Sequence, residues 1–436
     1  MLSMKTPATT VVWDVVVVGG GPAGMMAAGR AAERGRPTLL LEKNPKPGKK
    51  LLITGGGRCN VTNNKQDIRV MLARYGESGQ FLFSPFSQFA VRETLEFFHS
   101  RGMPTKEEND GRLFPVSDSA RSVWDVLVGY LKRTGVTVHT KSEVTAIQYD
   151  RKEKLFLITL QDKQKIRSRT CIMATGGTSR PETGSTGEGF RFLKRLGHSI
   201  GGHDMTLVPI TLSDPWIERV AGVTLPDVKL TTIATGAKKK VYRGKLLFTH
   251  VGISGPTVLN MSRDVGALLS ATEGAEYEQK SLSHGSSTVA IVLDLFPQLD
   301  HGALKVRLHE VLSEHSNKLL RNALAALLPA ALVEPILAEI HVSTETPAHS
   351  VRTEDRNALL MRLKALPLHV SGLLGAEKAV VSSGGVPLQE IDMKTMQSHK
   401  VPGLYVVGDV LDINRPSGGY SLQLCWSTGY VAGNSC

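Results

Sequence analysis

Cysteine is scarce in this chain of 436 residues, which limits the chemistry that the chain can carry. The four cysteines are Cys59, Cys171, Cys425 and Cys436. No two of them form a C-x-x-C pair, and their spacing does not match a set of metal ligands. We therefore expect neither dithiol redox chemistry nor a structural zinc site, and no metal cofactor.

Long apolar stretches are also missing. No uninterrupted apolar run reaches the length of about 20 residues that a bilayer span needs. Residues 1–13 lack the apolar core of a signal peptide. We therefore expect a globular cytoplasmic protein with no membrane partner. The chain is longer than one ordinary hydrophobic core supports, so two or three domains are expected.

Acidic residues are fewer than basic ones, with 40 Asp and Glu against 52 Lys and Arg, which gives a formal charge of +12. Such a charge attracts polyanions without identifying them, and it also occurs on proteins that bind no nucleic acid. Basic runs lie at residues 46–50, 162–169 and 237–245. A charge run is usually a solvated face, but the third run includes Tyr242, and phosphate-binding surfaces combine such groups. Its candidate RNA-binding residues are Lys238, Lys239, Lys240, Arg243 and Lys245.

A glycine motif opens the chain in VVVVGGGPAGMMAAGRAAERG, residues 15–35, an order that predicts strand, tight turn and helix. Gly19 permits the sharp turn, Gly21 lets a pyrophosphate approach the backbone, and Gly24 allows close packing of helix and strand. The next apolar strand, in PTLLLEKN, ends on Glu42, where a carboxylate can accept both hydroxyls of an unphosphorylated adenosine ribose. Together these features favour a dinucleotide site over an ordinary glycine-rich turn.

The later segments predict that this first domain is interrupted. Residues 143–173 indicate a β-meander that ends in the corner Ala174, Thr175 and Gly176. In flavoproteins with this layout the meander replaces the second crossover helix, so the cofactor is expected to be FAD. Short β-like runs fill residues 206–298, and helical periodicity fills 299–366. The first domain, residues 1–205, then resumes over 367–436, where GLYVVGD forms a strand and residues 417–433 form a turn and a final helix.

Seven segments follow one another in the order seen in a known family: GGGPAGMMAA, KPGKKLLITGGGRCNVTN, ATGG, TGSTGEGF, THVGISGP, GGVPLQEIDMKTMQS, and GDVLD with SGGYSLQ. On these segments the chain resembles the BaiN/RdsA family of NAD(P)/FAD-dependent oxidoreductases over nearly its whole length. The resemblance implies an α/β fold, with a Rossmann-like FAD-binding domain of the glutathione-reductase type (ββα) interrupted by a β-barrel-like domain and a small helical domain.

The resemblance also implies the residues that bind FAD. The pyrophosphate would lie on Gly19, Gly21 and Gly24, and the adenosine half would contact Glu42, Val144, Thr175 and Gly176. The flavin side would be lined by Lys50, Gly56, Gly57, Arg58 and Asn60. The ribitol and the isoalloxazine would meet Gly408, Asp409, Gly418, Gly419 and Tyr420.

Four residues depart from the family pattern near the expected flavin ring. The family commonly has Glu at the position of Asp409 and Asn at the position of Ser421. Arg415 and Pro416 are unusual in the segment INRPSGGY. We therefore expect an altered flavin pocket.

The family includes several activities, so the substrate is open. Its members are associated with reduction of a C=C bond in bile-acid intermediates, with aminoacetone oxidation, and with dihydrouridine formation in ribosomal RNA. We consider three hypotheses: an NAD(P)H-driven flavin reductase for a uridine in ribosomal RNA, a small-molecule reductase or amine oxidase, and a flavin-bearing RNA-binding or assembly factor without turnover. No second complete G-x-G-x-x-G motif is evident, so the choice between NADH and NADPH is open as well.

Reduction of a C=C bond also needs a proton donor. The candidates are Cys59 in the glycine-rich loop, His250 in FTHVGISGP, and Tyr420. Each has a structural alternative: a packed small residue for Cys59, a satisfied loop histidine for His250, and ring packing for Tyr420.

Overall fold

The computed structural model describes residues 11–201, 205–206, 208–276, 289–374, 381–382 and 384–436. The chain forms two compact units. Unit 1 contains Met1–Met205 and Val380–Cys436, and unit 2 contains Thr206–Ala379. Most of the N-terminal segment considered above as a signal peptide, residues 1–10, lies outside the described residues.

Strands and helices alternate in the first part of the chain. The strands up to residue 206 are β1 (Val12–Val18), β2 (Thr38–Leu41), β3 (Thr62–Asn63), β4 (Thr105–Glu108), β5 (Arg112–Pro115), β6 (Thr137–His139), β7 (Val144–Asp150), β8 (Leu155–Leu160), β9 (Lys165–Met173) and β10 (Met205–Thr206). The helices are α1 (Pro22–Glu33), α2 (Ile68–Ala73), α3 (Gly79–Gln88), α4 (Val91–His99), α5 (Ala120–Thr134) and α6 (Glu188–Arg195).

Unit 2 combines a barrel with helices. Its strands are β11 (Ile210–Leu212), β12 (Thr224–Ala234), β13 (Val241–Thr249), β14 (Gly252–Ser254), β15 (Val289–Asp294) and β16 (Leu366–Leu373). Its helices are α7 (Pro256–Glu276), α8 (His301–Glu314), α9 (Leu320–Leu324), α10 (Ala330–Glu339) and α11 (Thr353–Lys364). The strands close an antiparallel barrel in the order β11-β14-β13-β12-β15-β16.

The chain leaves the barrel later than the sequence predicts. The prediction returns to the first domain at residue 367, whereas β16 pairs with β11 and β15 and completes the barrel. Helices α8 to α11 are inserted between the last two barrel strands. In the sequence, a strand after such an insertion therefore resembles the start of a new domain.

The chain then completes unit 1. Its remaining elements are β17 (Val381–Ser382), β18 (Ile391–Asp392), β19 (Gln397–Ser398), β20 (Leu404–Val406) and α12 (Tyr420–Ser435). The central sheet has the order β18-β19-β20-β9-β1-β2-β6, and β20, β9, β1, β2 and β6 run parallel. Strands β7, β8 and β9 form the antiparallel meander. The predicted Rossmann-type fold with a β-meander is confirmed.

Burial explains why β1 could be recognised in the sequence. Val15, Val16, Val17 and Val18 are at most 4% exposed, because β1 lies at the centre of the sheet between β9 and β2. A parallel strand covered on both faces has a continuous apolar run rather than an alternating one.

Glycines bring the last helix onto the first. An added Cβ at Gly429 would lie 2.5 Å from the Ala23 carbonyl oxygen, and one at Gly433 would lie 2.4 Å from the Ala27 carbonyl oxygen. Without side chains at these positions, α12 packs directly on α1. The segment that precedes α12 therefore reaches the strand ends beside the first glycine turn, and Asp409 lines the same cleft as Gly19.

Candidate cofactor-binding site

A cleft of about 920 Å³ lies at the carboxyl ends of the parallel strands of unit 1. This is the usual ligand position in an open parallel sheet. Predicted cofactor residues that line it are Gly19, Gly21, Glu42, Lys50, Val144, Thr175, Gly176 and Asp409. Side chains and backbone from both ends of the chain thus form one site within unit 1.

The three motif glycines occupy different environments. Gly19 has φ +106°, and an added Cβ there would lie 2.5 Å from the Ala174 carbonyl oxygen. An added Cβ at Gly24 would lie 1.9 Å from the Gly19 carbonyl oxygen, so this position serves helix–strand packing. An added Cβ at Gly21 meets no protein atom within 4 Å. The space beside Gly21 is therefore available to a ligand.

Helix α1 begins in this space. Gly21 is its N-cap residue and supplies no capping side chain, and Pro22 occupies the first turn. The remaining N–H groups of that turn and the helix dipole favour a negative charge, so the start of α1 suits a pyrophosphate.

Glu42 is 7% exposed and is held by the neighbouring backbone. Its Oε2 accepts a hydrogen bond from the Gly20 N–H (2.9 Å), and its Oε1 accepts from both the N–H and the Nδ2 of Asn44 (2.7 Å each). Each carboxylate oxygen has two lone-pair directions, so Oε2 retains acceptor capacity for ribose hydroxyls. The hydrogen bonds from the backbone fix the orientation of the Glu42 carboxylate and of its remaining lone pairs.

We expect a Glu42→Gln variant to bind FAD less tightly by roughly 1.5–3 kcal/mol, because the neutral amide forms weaker hydrogen bonds with ribose hydroxyls. The NH₂ group of the glutamine would also face the N–H group of Gly20 or of Asn44, so two hydrogen-bond donors would oppose each other. Flavin titration of the FAD-free protein measures the affinity. Glu77→Gln is the matched control, since Glu77 is exposed and lies outside the cleft. Equal affinity in both variants would show that Glu42 does not hold the ribose.

The adenosine side of the cleft includes a loop that the sequence did not assign to FAD. Residues 183–189, within TGSTGEGF, line the cleft almost throughout. Lys43 joins this loop through an ion pair with Glu188 (3.0 Å) and a hydrogen bond to Thr186 (3.0 Å). Asn44 Nδ2 donates to the Thr183 carbonyl oxygen (3.0 Å). These partners are about 140 residues apart in the chain, so spacing alone carries no signal for them.

The other end of the cleft carries Lys50, Asp409 and Cys425. Lys50 Nζ donates to Ser179 Oγ (3.1 Å). Burial lowers the pKa of Lys50, the Asp409 carboxylate opposes this, and the Arg415 guanidinium adds to it. Arg415 forms an ion pair with Asp409, and its own side chain is 1% exposed. Two cations therefore adjoin one carboxylate at the end where the flavin is expected.

The glycine-rich loop and the turn before α12, both predicted to lie on the flavin side, are joined by contacts at Thr62 and Asn63. An added Cβ at Gly419 would lie 2.4 Å from the Thr62 carbonyl carbon, and Asn63 Nδ2 donates to the Gly418 carbonyl oxygen (3.1 Å). Gly56 and Gly57 have φ values of +68° and +87°, which favour glycine. The structure thus brings the segment after the second glycine cluster onto the turn before α12.

Other predicted residues of this side lie outside the cleft lining. Arg58 is paired with the carboxylates of Glu108 and Asp118, and its guanidinium lies 4.3 Å from the centroid of the Phe114 ring. Asn60 Oδ1 is buried and accepts no hydrogen bond within the described part of the chain. Gly408 has φ +66° and donates its N–H to Thr428 Oγ1 (3.0 Å), which anchors the strand end to α12.

A dinucleotide fits these observations. A pyrophosphate can occupy the space beside Gly21, and the ribose can add to the acceptors of Glu42. Thr175 Oγ1 lines the cleft and is buried with no partner among the described residues. A buried hydroxyl without a partner is costly, so it marks a position where a polar group of a ligand completes the site.

The three candidate proton donors differ in exposure. The Cys59 side chain is 0% exposed, and burial raises its pKa to about 12, which suits a packed thiol. Tyr420 is 3% exposed, and its ring packs edge-on against Tyr75 with centroids 5.9 Å apart. Burial raises the pKa of Tyr420 as well. His250 is exposed, in the turn after β13 of unit 2.

The candidate RNA-binding residues lie on β13 and in the loop before it, in unit 2. Two of the five are already paired: Lys240 with Asp264 (2.5 Å) and Arg243 with Asp227 (2.9 Å). Tyr242 also donates its hydroxyl to Asp264. Lys238, Lys239 and Lys245 are exposed and have no carboxylate partner among the described residues. These three carry the free positive charge of the segment.

The family is decided by comparison with known proteins. The model of the HI0933-like protein Rossmann domain matches residues 13–435. The chain belongs to this family. The membership confirms the resemblance found in the seven segments, and it makes the chain an FAD-dependent oxidoreductase. No helix in the described ranges is long and apolar enough to cross a bilayer, and no group of three described His, Cys, Asp or Glu residues could hold a metal ion.

Relatives with nearly full coverage act on different substrates. The ribosomal RNA dihydrouridine synthase of Escherichia coli is 32% identical over 422 residues, which is 96% of each chain. The 3-dehydro-bile acid delta(4,6)-reductase of Clostridium scindens is 30% identical over 421 residues, with coverage of 96% of this chain and 98% of the relative. Among solved structures, 3-ketosteroid-delta4-(5alpha)-dehydrogenase from Rhodococcus jostii RHA1 has a TM-score of 0.52 at 13% identity, covering 99% and 98% of the two chains. This last likeness concerns the fold alone.

Proposed function

We propose that this FAD-dependent oxidoreductase uses NADH or NADPH to reduce the C5=C6 bond of a uridine in ribosomal RNA, forming dihydrouridine. The observation that carries the proposal is the charge: +12 overall, with exposed unpaired lysines in unit 2. The positive electrostatic field of these charges attracts a polyanionic substrate, whereas a small neutral substrate does not require it. A relative at 32% identity with the same activity in its name supports this choice.

The chemistry divides between cofactor and protein. When bound, FAD accepts a hydride from a nicotinamide and passes it to an activated alkene. Gly21, Glu42 and Asp409 would hold the dinucleotide, and the flavin ring is expected at the Asp409 end of the cleft. A proton must then reach the second alkene carbon from Cys59, His250 or Tyr420, or from water. The product is the uracil ring with one hydride and one proton added.

Mass spectrometry of nucleosides tests this function directly. Ribosomal RNA from cells lacking the protein should lose a dihydrouridine that returns when the gene is restored. The purified protein with NADH or NADPH should reintroduce it into that RNA. Unchanged nucleoside content in the deletion strain, together with no reduction in vitro, would overturn the RNA substrate.

A small-molecule enone is the second candidate, because a relative at 30% identity is named as a bile acid reductase. In this case the deletion strain keeps its RNA modifications. Oxidation of NAD(P)H by the purified protein would be stimulated by a conjugated ketone and not by RNA.

The exposed lysines of unit 2 give a further prediction. We expect the double variant Lys238→Glu, Lys239→Glu to bind ribosomal RNA more weakly and to lower the slope of log affinity against log salt by roughly two units, about one for each lost phosphate contact. Flavin reduction by NAD(P)H should be unchanged, since these lysines lie outside the cleft lining. Binding titrations at several salt concentrations measure both quantities.

The matched control is Lys305→Glu, Lys318→Glu, which changes the charge equally at exposed positions in the helical part of unit 2. A non-specific effect of net charge predicts the same loss in both double variants. A local RNA contact predicts a loss in the first variant only.

A further inference from the structure

Unit 1 contains a second depression, which we call the basic groove. Its floor is apolar and includes Ile147 on β7, Leu196 after α6, and Val401. Four cations surround the floor: Arg151, Lys154, Arg195 and Lys400. The groove shares no lining residue with the cofactor cleft.

Three of these cations are uncompensated. Arg151, Lys154 and Arg195 are exposed and have no carboxylate partner within the described ranges. The neighbouring Glu153 is paired with Arg167. Lys400 is bonded to Glu390 (2.6 Å), so it adds little free charge. Three lining cations therefore have no carboxylate partner, and the exposed Asp150 carboxylate beside Arg151 is offset by the neighbouring Lys152.

An aromatic ring adjoins this charge. Tyr149 lines the groove from β7 and is half-buried, with its ring centroid 4.9 Å from that of Phe156. The ring packs against Phe156 and the hydrophobic core of unit 1, which restricts its movement. Gln148, which also lines the groove, is exposed and offers an amide donor and acceptor. Cations beside a fixed aromatic ring are the combination that binds single-stranded nucleic acid.

Two elements connect the groove to the cofactor cleft. On β7, Val144 lines the cleft and Tyr149 lines the groove, which places them roughly 16 Å apart at about 3.3 Å per residue. On α6, Gly189 lines the cleft and Arg195 the groove, roughly 9 Å apart along the helix. A ligand in the groove therefore lies beyond the adenosine side of the cleft, away from the flavin end.

We infer that the basic groove binds the phosphates of a single-stranded RNA segment, with a base stacked on Tyr149, and so anchors the substrate at a distance from the uridine that reacts. The inference rests on the proposed function. An extended polyanion matches the site better than a free phosphate, because the cations stand around the rim and are exposed rather than converging on one buried point. The apolar floor likewise suits bases rather than an acidic peptide.

The test uses the FAD-loaded full chain with the charge-reversing variant Arg151→Glu, Lys154→Glu, Arg195→Glu. The probe is a single-stranded fragment of ribosomal RNA, and fluorescence anisotropy follows its binding at several salt concentrations. We expect affinity at physiological salt to fall roughly tenfold or more and the salt slope to fall by about two units, at about 0.7 per phosphate contact on a single strand. The flavin spectrum and reduction by NAD(P)H should stay as in the wild type.

A matched control separates the groove from the general charge. The variant Arg69→Glu, Lys132→Glu, Lys394→Glu has the same change in charge at exposed positions of unit 1 outside the groove. Equal losses in the two triple variants would overturn a specific site. Suppose that the wild-type protein binds the RNA and forms dihydrouridine, and that the groove variant binds the RNA equally well. This result would overturn the assignment of the groove as an RNA-binding site and leave the proposed function standing. A wild-type protein that neither binds RNA nor forms dihydrouridine would overturn both.

Discussion

A Gly21→Val variant is expected to fold and to purify without FAD. The backbone at Gly21 has φ −74° and ψ −179°, which any residue adopts, and an added Cβ meets no protein atom within 4 Å. The valine would instead enter the space assigned to the pyrophosphate and separate it from the N–H groups of α1. Steric crowding plus lost charge-assisted hydrogen bonds should weaken FAD binding by on the order of 4 kcal/mol, about a thousandfold in Kd.

Absorbance of the bound flavin measures the occupancy, and circular dichroism with thermal unfolding measures the fold. Gly129→Val in α5 is the matched control, since an added Cβ there meets only the mobile end of Arg133 at 3.2 Å. Gly24→Val should behave differently from both, because its Cβ would collide with the Gly19 backbone and so destabilise the fold itself. Full FAD occupancy in Gly21→Val would show that the pyrophosphate lies elsewhere.

This contrast between Gly21 and Gly24 also shows why the fold could be predicted from the sequence. Local geometry requires glycine at Gly19 and Gly24 whatever ligand binds, and β1 requires an apolar run because it is buried on both faces. Both requirements act over a few neighbouring residues. Short-range patterns of this kind remain visible in one sequence.

The parts of the site that could not be predicted depend on contacts between distant residues. The loop 183–189 joins the cleft through Lys43 and Asn44, and Arg58 is held by Glu108 and Asp118. Side chains so far apart in the chain have no shared period or spacing. The placement of Arg58 on the flavin side therefore followed from family resemblance, while its ion pairs emerge only in three dimensions.

Burial limits predictions of reactivity in the same way. The glycine-rich loop made Cys59 a candidate proton donor, with a packed small residue as the alternative, and the side chain lies within the hydrophobic core of unit 1. A cysteine is small and apolar enough for a core position, so its identity alone does not distinguish a packed residue from a proton donor.

Three of the four residues that depart from the family pattern interact with one another at the flavin end of the cleft. Arg415 forms an ion pair with Asp409, donates from Nε to Ser421 Oγ (3.0 Å), and also donates to the Ile413 carbonyl oxygen. Three residues that differ from the family pattern thus form one hydrogen-bonded network around the buried Arg415 side chain.

The network predicts strong coupling between Arg415 and Asp409. Removing one partner of a buried ion pair costs about 3–5 kcal/mol, because the other charge loses its compensation. We therefore expect Asp409→Asn to lower the free energy of unfolding by about that amount, since the Arg415 side chain is 1% exposed. Arg415→Met should cost less, because Asp409 lines the cleft and is 17% exposed, so water can reach its carboxylate.

The double variant Arg415→Met, Asp409→Asn then separates stability from cofactor binding. Neither charge remains, so denaturant unfolding of the FAD-free protein should recover most of the stability that Asp409→Asn loses. If the Asp409 carboxylate also binds the ribitol, FAD affinity should stay low in the double variant although the fold is restored. Recovery of both quantities would confine Asp409 to compensating Arg415. If the loss of stability in the double variant equals the sum of the losses in the two single variants, Arg415 and Asp409 are not energetically coupled.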